Sequence, residues 1–326
     1  MKLRFNQFIG TGGIGTGILF ELDGNRTLSR NETRLATLTP TRDYCKQHII
    51  LHYIARVLAP EAAVVPIGMV GMDDAGSALL EMMRDAGMDT RFVAQTKERS
   101  TMYCVCMQYP DKAVCNVTTD QSACDLVDAA YVDDALDQLS LDAQTLVMAA
   151  PEVPVCARIR LMRRAHAAGA FCAASCLMDE FDEFTRSGGF ECCDLLAINE
   201  DEAAAFCGCD EKDMQRLAQM CHQKMRVYNP NIRLAMTCGA QGSWVCEGDR
   251  AAFIPAQPTE PVATGGAGDA YVSGVICGLA LGIPFIAESG VSAPMLGAKF
   301  ASEAIRDADT ISNRITREMA MDYLQK

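Results

Sequence analysis

Apolar and polar positions alternate between two patterns along the chain. Short unbroken apolar runs come first, and stretches with apolar positions three and four apart follow them. Residues 62–70 form one such run and predict a buried strand. Residues 73–86 follow as a predicted helix, with Ala78, Leu79, Met82 and Met83 on one face and Gly87 at the end. Residues 145–150 predict a strand ending at Pro151, and residues 155–168 a helix stopped by Gly169. Residues 170–175, 194–198 and 232–237 read as further buried strands. Strands that alternate with helices in this way predict an α/β fold with a mostly parallel central sheet.

Two stretches depart from that rhythm. Residues 101–117 alternate as a hairpin with Pro110-Asp111 at its turn, and residues 15–40 are polar with little helical period. Together they predict a small β lid over one end of the main sheet, drawn from about residues 15–42 and 98–122. Residues 243–255 read as another hairpin, turning at Gly248-Asp249. Beyond Asp269 the pattern is helical over residues 270–281 and again over 289–308. There is no internal repeat and no low-complexity tract, and one α/β domain spanning 1–326 accommodates all of these elements.

Composition narrows the function classes. With 49% hydrophobic residues the chain can bury a sizeable core. A formal net charge of −13 argues against a nucleic-acid partner and against anionic membranes. No apolar run approaches the roughly 18 residues of a membrane span, and the first residues lack the apolar core of a signal peptide. The 16 cysteines lie largely in apolar runs, and the pairs Cys104/Cys106, Cys172/Cys176, Cys192/Cys193 and Cys207/Cys209 show no C-x-x-C spacing. The expectation is a reducing, cytoplasmic setting with cysteines acting as small buried hydrophobes.

The chemistry concentrates in Thr264-Gly265-Gly266-Ala267-Gly268-Asp269, which runs directly into the apolar helix at 270–281. Small residues allow backbone N–H groups to converge, and a helix N-terminus adds partial positive charge, which together make an anion site. Phosphoryl transfer needs such a cradle for its charged oxygens, and beside it a carboxylate to take the proton of the attacking hydroxyl. An Asp in a first turn also simply complements the helix dipole, so the motif alone leaves both readings open.

Gly266-Ala267-Gly268-Asp269-Ala270 followed by Gly274 resembles the signature of the PfkB-type carbohydrate kinases, which share the ribokinase fold. The resemblance implies a three-layer sandwich with a lid. It assigns Asp269 as catalytic base and Gly266, Ala267 and Gly268 as an anion hole. Three further segments match the family in order. Asn199-Glu200-Asp201-Glu202 is similar to the Asn-x-x-Glu motif, which implies that Asn199 and Glu202 help hold Mg²⁺ and phosphate, largely through water. The same residues have the spacing of a capping box, and both roles can hold at once. Thr237-Cys238-Gly239-Ala240-Gln241-Gly242 resembles the nucleotide-pocket segment, implying Thr237, Gly239, Gly242 and also Thr264 at ATP, although an ordinary turn into a hairpin has the same composition. Gly68-Met69-Val70-Gly71-Met72-Asp73-Asp74-Ala75-Gly76 resembles an architectural strand–helix junction of the family. The resemblance covers about residues 60–300.

The N-terminal part differs from the family. The acid expected after the first strand is missing from the stretch Gly10 to Gly17, and Thr41 to His48 stands where the usual Gly-Gly-x-x-x-Asn is expected. The Asp expected ahead of the turn is also missing, with Ala263, Thr264 and Gly265 in that stretch, which counts against the family's monovalent-cation site. Gly12, Gly13 and Gly15 are expected to let the chain pass close to a substrate. Arg26, Arg30, Arg34, Arg42 and Lys46 form a local basic stretch, which suggests an anionic sugar gripped by Arg42 and Lys46 among others, or else only a solvated lid face. The expected activity is ATP- and Mg²⁺-dependent phosphorylation of a hydroxyl on a sugar-like small molecule. A homodimer through the lid is implied by the resemblance alone. A nucleotide or sugar sensor of the same fold is the alternative. A nicotinamide-dependent dehydrogenase, suggested by the literal G-x-G-x-x-G at residues 10–15, is weaker because no good helix follows. His48 and His52, four apart, read as one helix face without a metal partner.

Overall fold

The computed structural model describes residues 2–111 and 113–325. In chain order the elements are β1 (Gln7–Thr11), β2 (Gly15–Leu22), β3 (Ala36–Tyr44), α1 (Lys46–Leu58), β4 (Ala63–Gly71), α2 (Asp74–Asp85), β5 (Val93–Thr96), β6 (Met102–Gln108) and β7 (Val114–Thr118). They continue with α3 (Ala129–Leu136), β8 (Thr145–Ala149), α4 (Val155–Ala167), β9 (Phe171–Ala174), α5 (Phe181–Arg186), β10 (Leu195–Asn199), α6 (Glu200–Cys207) and α7 (Met214–Arg226). The last are β11 (Arg233–Thr237), β12 (Gly242–Glu247), β13 (Arg250–Pro255), α8 (Ala267–Ala280), α9 (Ala293–Ala304) and α10 (Arg317–Leu324).

The nine-stranded sheet has the order β13-β12-β11-β10-β9-β8-β1-β4-β5. From β11 to β5 every neighbouring pair is parallel, and the β12–β13 hairpin closes one edge antiparallel. Side chains alternate between faces along a strand, so each buried strand feeds two cores. Phe8, Leu146, Met148 and Ala235 pack toward α1, α2, α8 and α9. Their neighbours Ile9, Val147, Ala149 and Met236 pack toward α3, α4, α6 and α7. That alternation produces helix–sheet–helix layering.

The second sheet has the order β3-β2-β6-β7 and forms the lid. Its β2–β6 pairing is parallel and the other two pairings are antiparallel. Asp73 fixes its root. One carboxylate oxygen accepts from the Gly76 amide at 2.8 Å, capping α2, and from the Thr101 hydroxyl at 2.6 Å, while the other accepts from the Thr101 amide at 2.8 Å. The helix expected over 289–308 is shorter than its pattern. Gly290 has φ +78, outside helical space, and the helix begins only after Ser292, with Pro294 in its first turn. Among the described residues no helix is long and apolar enough to cross a membrane.

Candidate active site

In an open parallel sheet, ligand sites gather where strands end. Four loops or termini meet there in this chain. Glu152 follows β8, Leu177 follows β9, Asn199 ends β10 and Thr237 ends β11. The turn into α8 comes up beside them. Gly266 caps α8 with φ +73, a left-handed conformation that side chains with a Cβ disfavour. A Cβ there would also stand 2.8 Å from the Thr310 carbonyl. The Ala270 amide donates to the Gly266 carbonyl at 2.9 Å, which starts the helix. The amides of a first helical turn have no intrahelical acceptors and carry partial positive charge, so they can receive an anion.

This turn is the wall between two cavities. The first, of about 270 Å³, lies between the main sheet and the lid and takes Gly265, Gly266 and Asp269 from the turn. The second, of about 540 Å³, takes Thr264, Ala267 and Gly268, and is completed by Thr237, Gly239 and Gly242 among others. Its floor includes buried Tyr271, whose hydroxyl receives a hydrogen bond from the Ser243 hydroxyl at 2.8 Å.

The first cavity is rich in carboxyl groups around one ammonium. Lys46 Nζ lies 3.1 Å from Asp269 Oδ1. Burial works to lower the lysine's pKa, but the charges of Asp269, Glu202 and Glu152 outweigh it and hold the ammonium above its ordinary value. Burial pushes the Glu152 carboxyl up to about 7, against the pull of Lys46. Glu152 Oε2 is buried with no hydrogen-bond partner, and the residue holds φ +75. Burial also raises Asp43, against a hydrogen bond from Cys106, and raises Glu202, against the charge of Lys46.

The residues singled out in the sequence divide between these places. Asp269, Gly266 and Lys46 line the first cavity, and Ala267, Gly268, Thr237, Gly239, Gly242 and Thr264 line the second. Asn199 and Glu202 line neither. They form a capping box, with the Glu202 amide donating to Asn199 Oδ1 at 2.8 Å and the Asn199 amide donating to Glu202 Oε2 at 2.9 Å.

Gly12, Gly13 and Gly15, expected against a substrate, are instead packed against protein. Added Cβ atoms would stand 2.6 Å from Ala150 Cβ, 2.2 Å from Glu152 Oε2 and 2.6 Å from the Met102 carbonyl, respectively. Arg42, expected at the substrate, is absent from both linings; its amide donates to Asp309 Oδ1 at 2.8 Å. Arg26 and Arg34 are bound to Glu32 on the lid loop. The basic stretch therefore contributes only Lys46 to the cavity lining. The glycines at 10–15 lead from β1 into strand β2, not into the helix a dinucleotide site needs. His48 and His52 are buried on α1 with ring centroids 5.8 Å apart, and burial lowers them to about 3 and about 4.

Asp43, Glu152, Cys104 and Cys106 line the first cavity without having been singled out as site residues. Glu152 had a legible signal, an acid two residues past the end of a buried strand. The other three come from lid strands and meet only once the lid sheet is paired.

The model of the pfkB family of carbohydrate kinases matches residues 50–317. No curated protein matches the chain significantly. Among solved structures, ribokinase from Giardia lamblia aligns at TM-score 0.79 and 16% identity, covering 98% of this chain and 99% of that one. Ribokinase from Cryptococcus neoformans var. grubii serotype A in complex with ADP aligns at 0.76 and 18%, covering 97% and 99%. Nucleoside kinase from Burkholderia thailandensis in complex with inosine aligns at 0.75 and 16%, covering 98% and 97%. The fold is thus ribokinase-like, and the family match over most of its length shows that the chain belongs to the pfkB family of carbohydrate kinases.

Proposed function

We propose that the chain transfers the γ-phosphoryl group of ATP to a hydroxyl of a sugar-like or nucleoside-like acceptor. The observation that carries this reading is the shared wall: one glycine-rich turn presents Asp269 to the first cavity and Ala267 and Gly268 to the second. The acceptor lies in the first cavity and the nucleotide in the second. Asp269 takes the proton of the acceptor hydroxyl as its oxygen bonds to the γ-phosphorus, and the bond to the β-phosphate oxygen breaks to release ADP. The first-turn amides of α8 carry the charge spread over the phosphoryl oxygens. Lys46 holds Asp269 in place and offsets the acidity of the cavity.

Glu202, whose charge is felt at Lys46 and Asp269, is the residue that would hold a magnesium ion. Glu202 commits Oε2 to the Asn199 amide, which leaves its other oxygen for a hard cation or that cation's waters. An Mg²⁺ ion held there would neutralise phosphate charge. The family's monovalent-cation site lacks its usual acid at 263–265, and the reading gives it no role.

The cavity's charge bears on the acceptor. Asp43, Glu152 and Asp269 face a single ammonium, and none of Arg26, Arg30, Arg34 or Arg42 lines the space. This favours a neutral polyol over the anionic sugar suggested by the basic stretch. We also infer that the outward face of the lid binds a second copy of the chain.

The test is ADP release across neutral sugars, sugar acids, sugar phosphates and nucleosides, with Asp269→Asn beside the parent. The parent is expected to turn over at least one neutral acceptor. Asp269→Asn is expected to bind ATP as the parent does while kcat falls by about 10²–10⁴-fold. Retained turnover in the variant would remove Asp269 as base. Binding of nucleotide without turnover of any acceptor would make the chain a sensor.

A further inference from the structure

The inner face of the lid carries a thiol–carboxylate group that phosphoryl transfer does not require. On the central lid strand, Gly17 pairs with Asp43 of β3 on one side and with Cys104 of β6 on the other. Gly17 has no side chain to separate them, and a Cβ there would stand 3.0 Å from Cys104 Cβ. Asp43 therefore reaches across β2 to the thiols. Cys106 Sγ donates to Asp43 Oδ2 at 2.9 Å, and Cys104 Sγ lies 3.5 Å from Cys106 Sγ. Cys104 and Cys106 share a face because they are two apart on a strand. One ligand atom from each of the three residues lies within 4.8 Å of the other two. Both thiols are buried yet line the first cavity with Asp43.

These distances suit a shared ion. Zn–S bonds of about 2.3 Å and Zn–O bonds of about 2.1 Å place ligands of one tetrahedral ion about 3.6–3.8 Å apart. The two sulfurs, 3.5 Å apart, stand close to that separation, and Cys106 Sγ and Asp43 Oδ2, 2.9 Å apart, must spread to admit the ion. Three protein ligands with the cavity on the fourth side are the arrangement of an open zinc site, whose last position takes water or another small ligand. Two sulfurs select a thiophilic ion and reject Mg²⁺, which prefers six hard oxygens.

We propose that Asp43, Cys104 and Cys106 bind a thiophilic divalent cation of the Zn²⁺ type on the roof of the first cavity, and that the bound ion bars the acceptor. The ion displaces the Cys104 thiol proton and the proton shared by Cys106 and Asp43, so binding releases two protons. It also ties β3 to β6 across β2 and fixes the lid. The blocking half rests on the assignment of this cavity to the acceptor; the metal-binding half does not.

Co²⁺ titrated into the reduced, metal-free full chain with Mg²⁺ in excess tests the binding half. The expected result is a thiolate-to-cobalt charge-transfer absorption that saturates at about one equivalent and is bleached by Zn²⁺. Cys106→Ser and Cys104→Ser are each expected to weaken Zn²⁺ affinity by about tenfold or more. Unchanged thermal midpoints of the metal-free variants report that the lid still folds. If these fall, Asp43→Asn, which keeps both thiols, serves instead. No absorption in the parent, or equal absorption in folded variants, would overturn the site and place any bound ion on other cysteines. With any acceptor found by ADP release, Zn²⁺ is expected to raise the acceptor KM at constant kcat, and this effect is expected to shrink in Cys106→Ser. Inhibition that leaves KM unchanged would overturn the blocking half. Absence of turnover with every acceptor would fall on the kinase reading, while the cobalt titration still decides the site.

Discussion

Glu152 keeps its backbone at φ +75, a conformation that costs a non-glycine residue on the order of 1–3 kcal/mol. The turn aims a carboxyl into the space that any side chain at Gly13 would need, with Oε2 buried and unpartnered. A group in that state suits a ligand hydroxyl more than the resting fold. Its titration gives a signed test. The carboxyl moves from an ordinary 4.5 to about 7 on folding, chiefly by burial. Between those values the folded chain keeps a proton that the unfolded chain has lost. The stability it contributes is complete below pH 4.5 and is lost as pH rises through about 7, a change of up to roughly 3 kcal/mol. Glu152→Gln should therefore gain thermal midpoint relative to the parent as pH rises across that window. A difference between the two midpoints that does not change with pH would show the residue ionised throughout. Pro151-Glu152 after a buried strand was visible in the sequence. Its backbone conformation and its closeness to Gly13 were not, because both depend on how β8 and β1 lie side by side.

At the scale of elements, α8 carries Asp269 and α9 holds α8. Residues 270–280 of α8 are all buried, as their unbroken apolar pattern predicts. Two glycines let the helices close: a Cβ on Gly274 would stand 2.7 Å from Gly297 Cα, and one on Gly278 would stand 2.7 Å from Ala293 Cα. Alanine in a helix interior is favoured over glycine by about 1 kcal/mol. Overpacking a tight contact costs about 1–3 kcal/mol, and here the obstacle is backbone, which cannot rotate away. The clash wins, so Gly274→Ala should lower the urea midpoint although it improves helix propensity. A raised midpoint would mean that the helices part freely. Because Asp269 sits five residues earlier on α8, the same substitution should also reduce turnover. The strands at 62–70, 145–150 and 232–237 were legible because runs buried on both faces leave an unbroken apolar record. The start of α9 was not, since Gly290 and Ser292 interrupt a periodic stretch without breaking its apolar spacing. The short helix α10 and strand β5 offer too few residues for a period to show.

For the whole molecule, the lid has two different faces. Inward, Cys104, Cys106, Asn116 and Thr118 face the first cavity. Among the alternate residues, Tyr103, Val117 and Leu38 are apolar and 37%, 63% and 56% exposed. An apolar sheet face left in water favours association with a matching surface, and the matching surface nearest to hand is a second lid. The parent is expected to elute as a dimer with light-scattering mass near twice 35.3 kDa, and Val117→Lys to shift it toward one chain. A parent of single-chain mass would refute the pairing. The glycine-rich turn has a further consequence for acceptor choice. Its two cavities are walled by different stretches of chain, the second mostly by residues from 237 onward and the first mostly by the lid and α1. On the proposed reading, substitutions in the lid and α1 would alter the acceptor without touching the residues that wall the nucleotide.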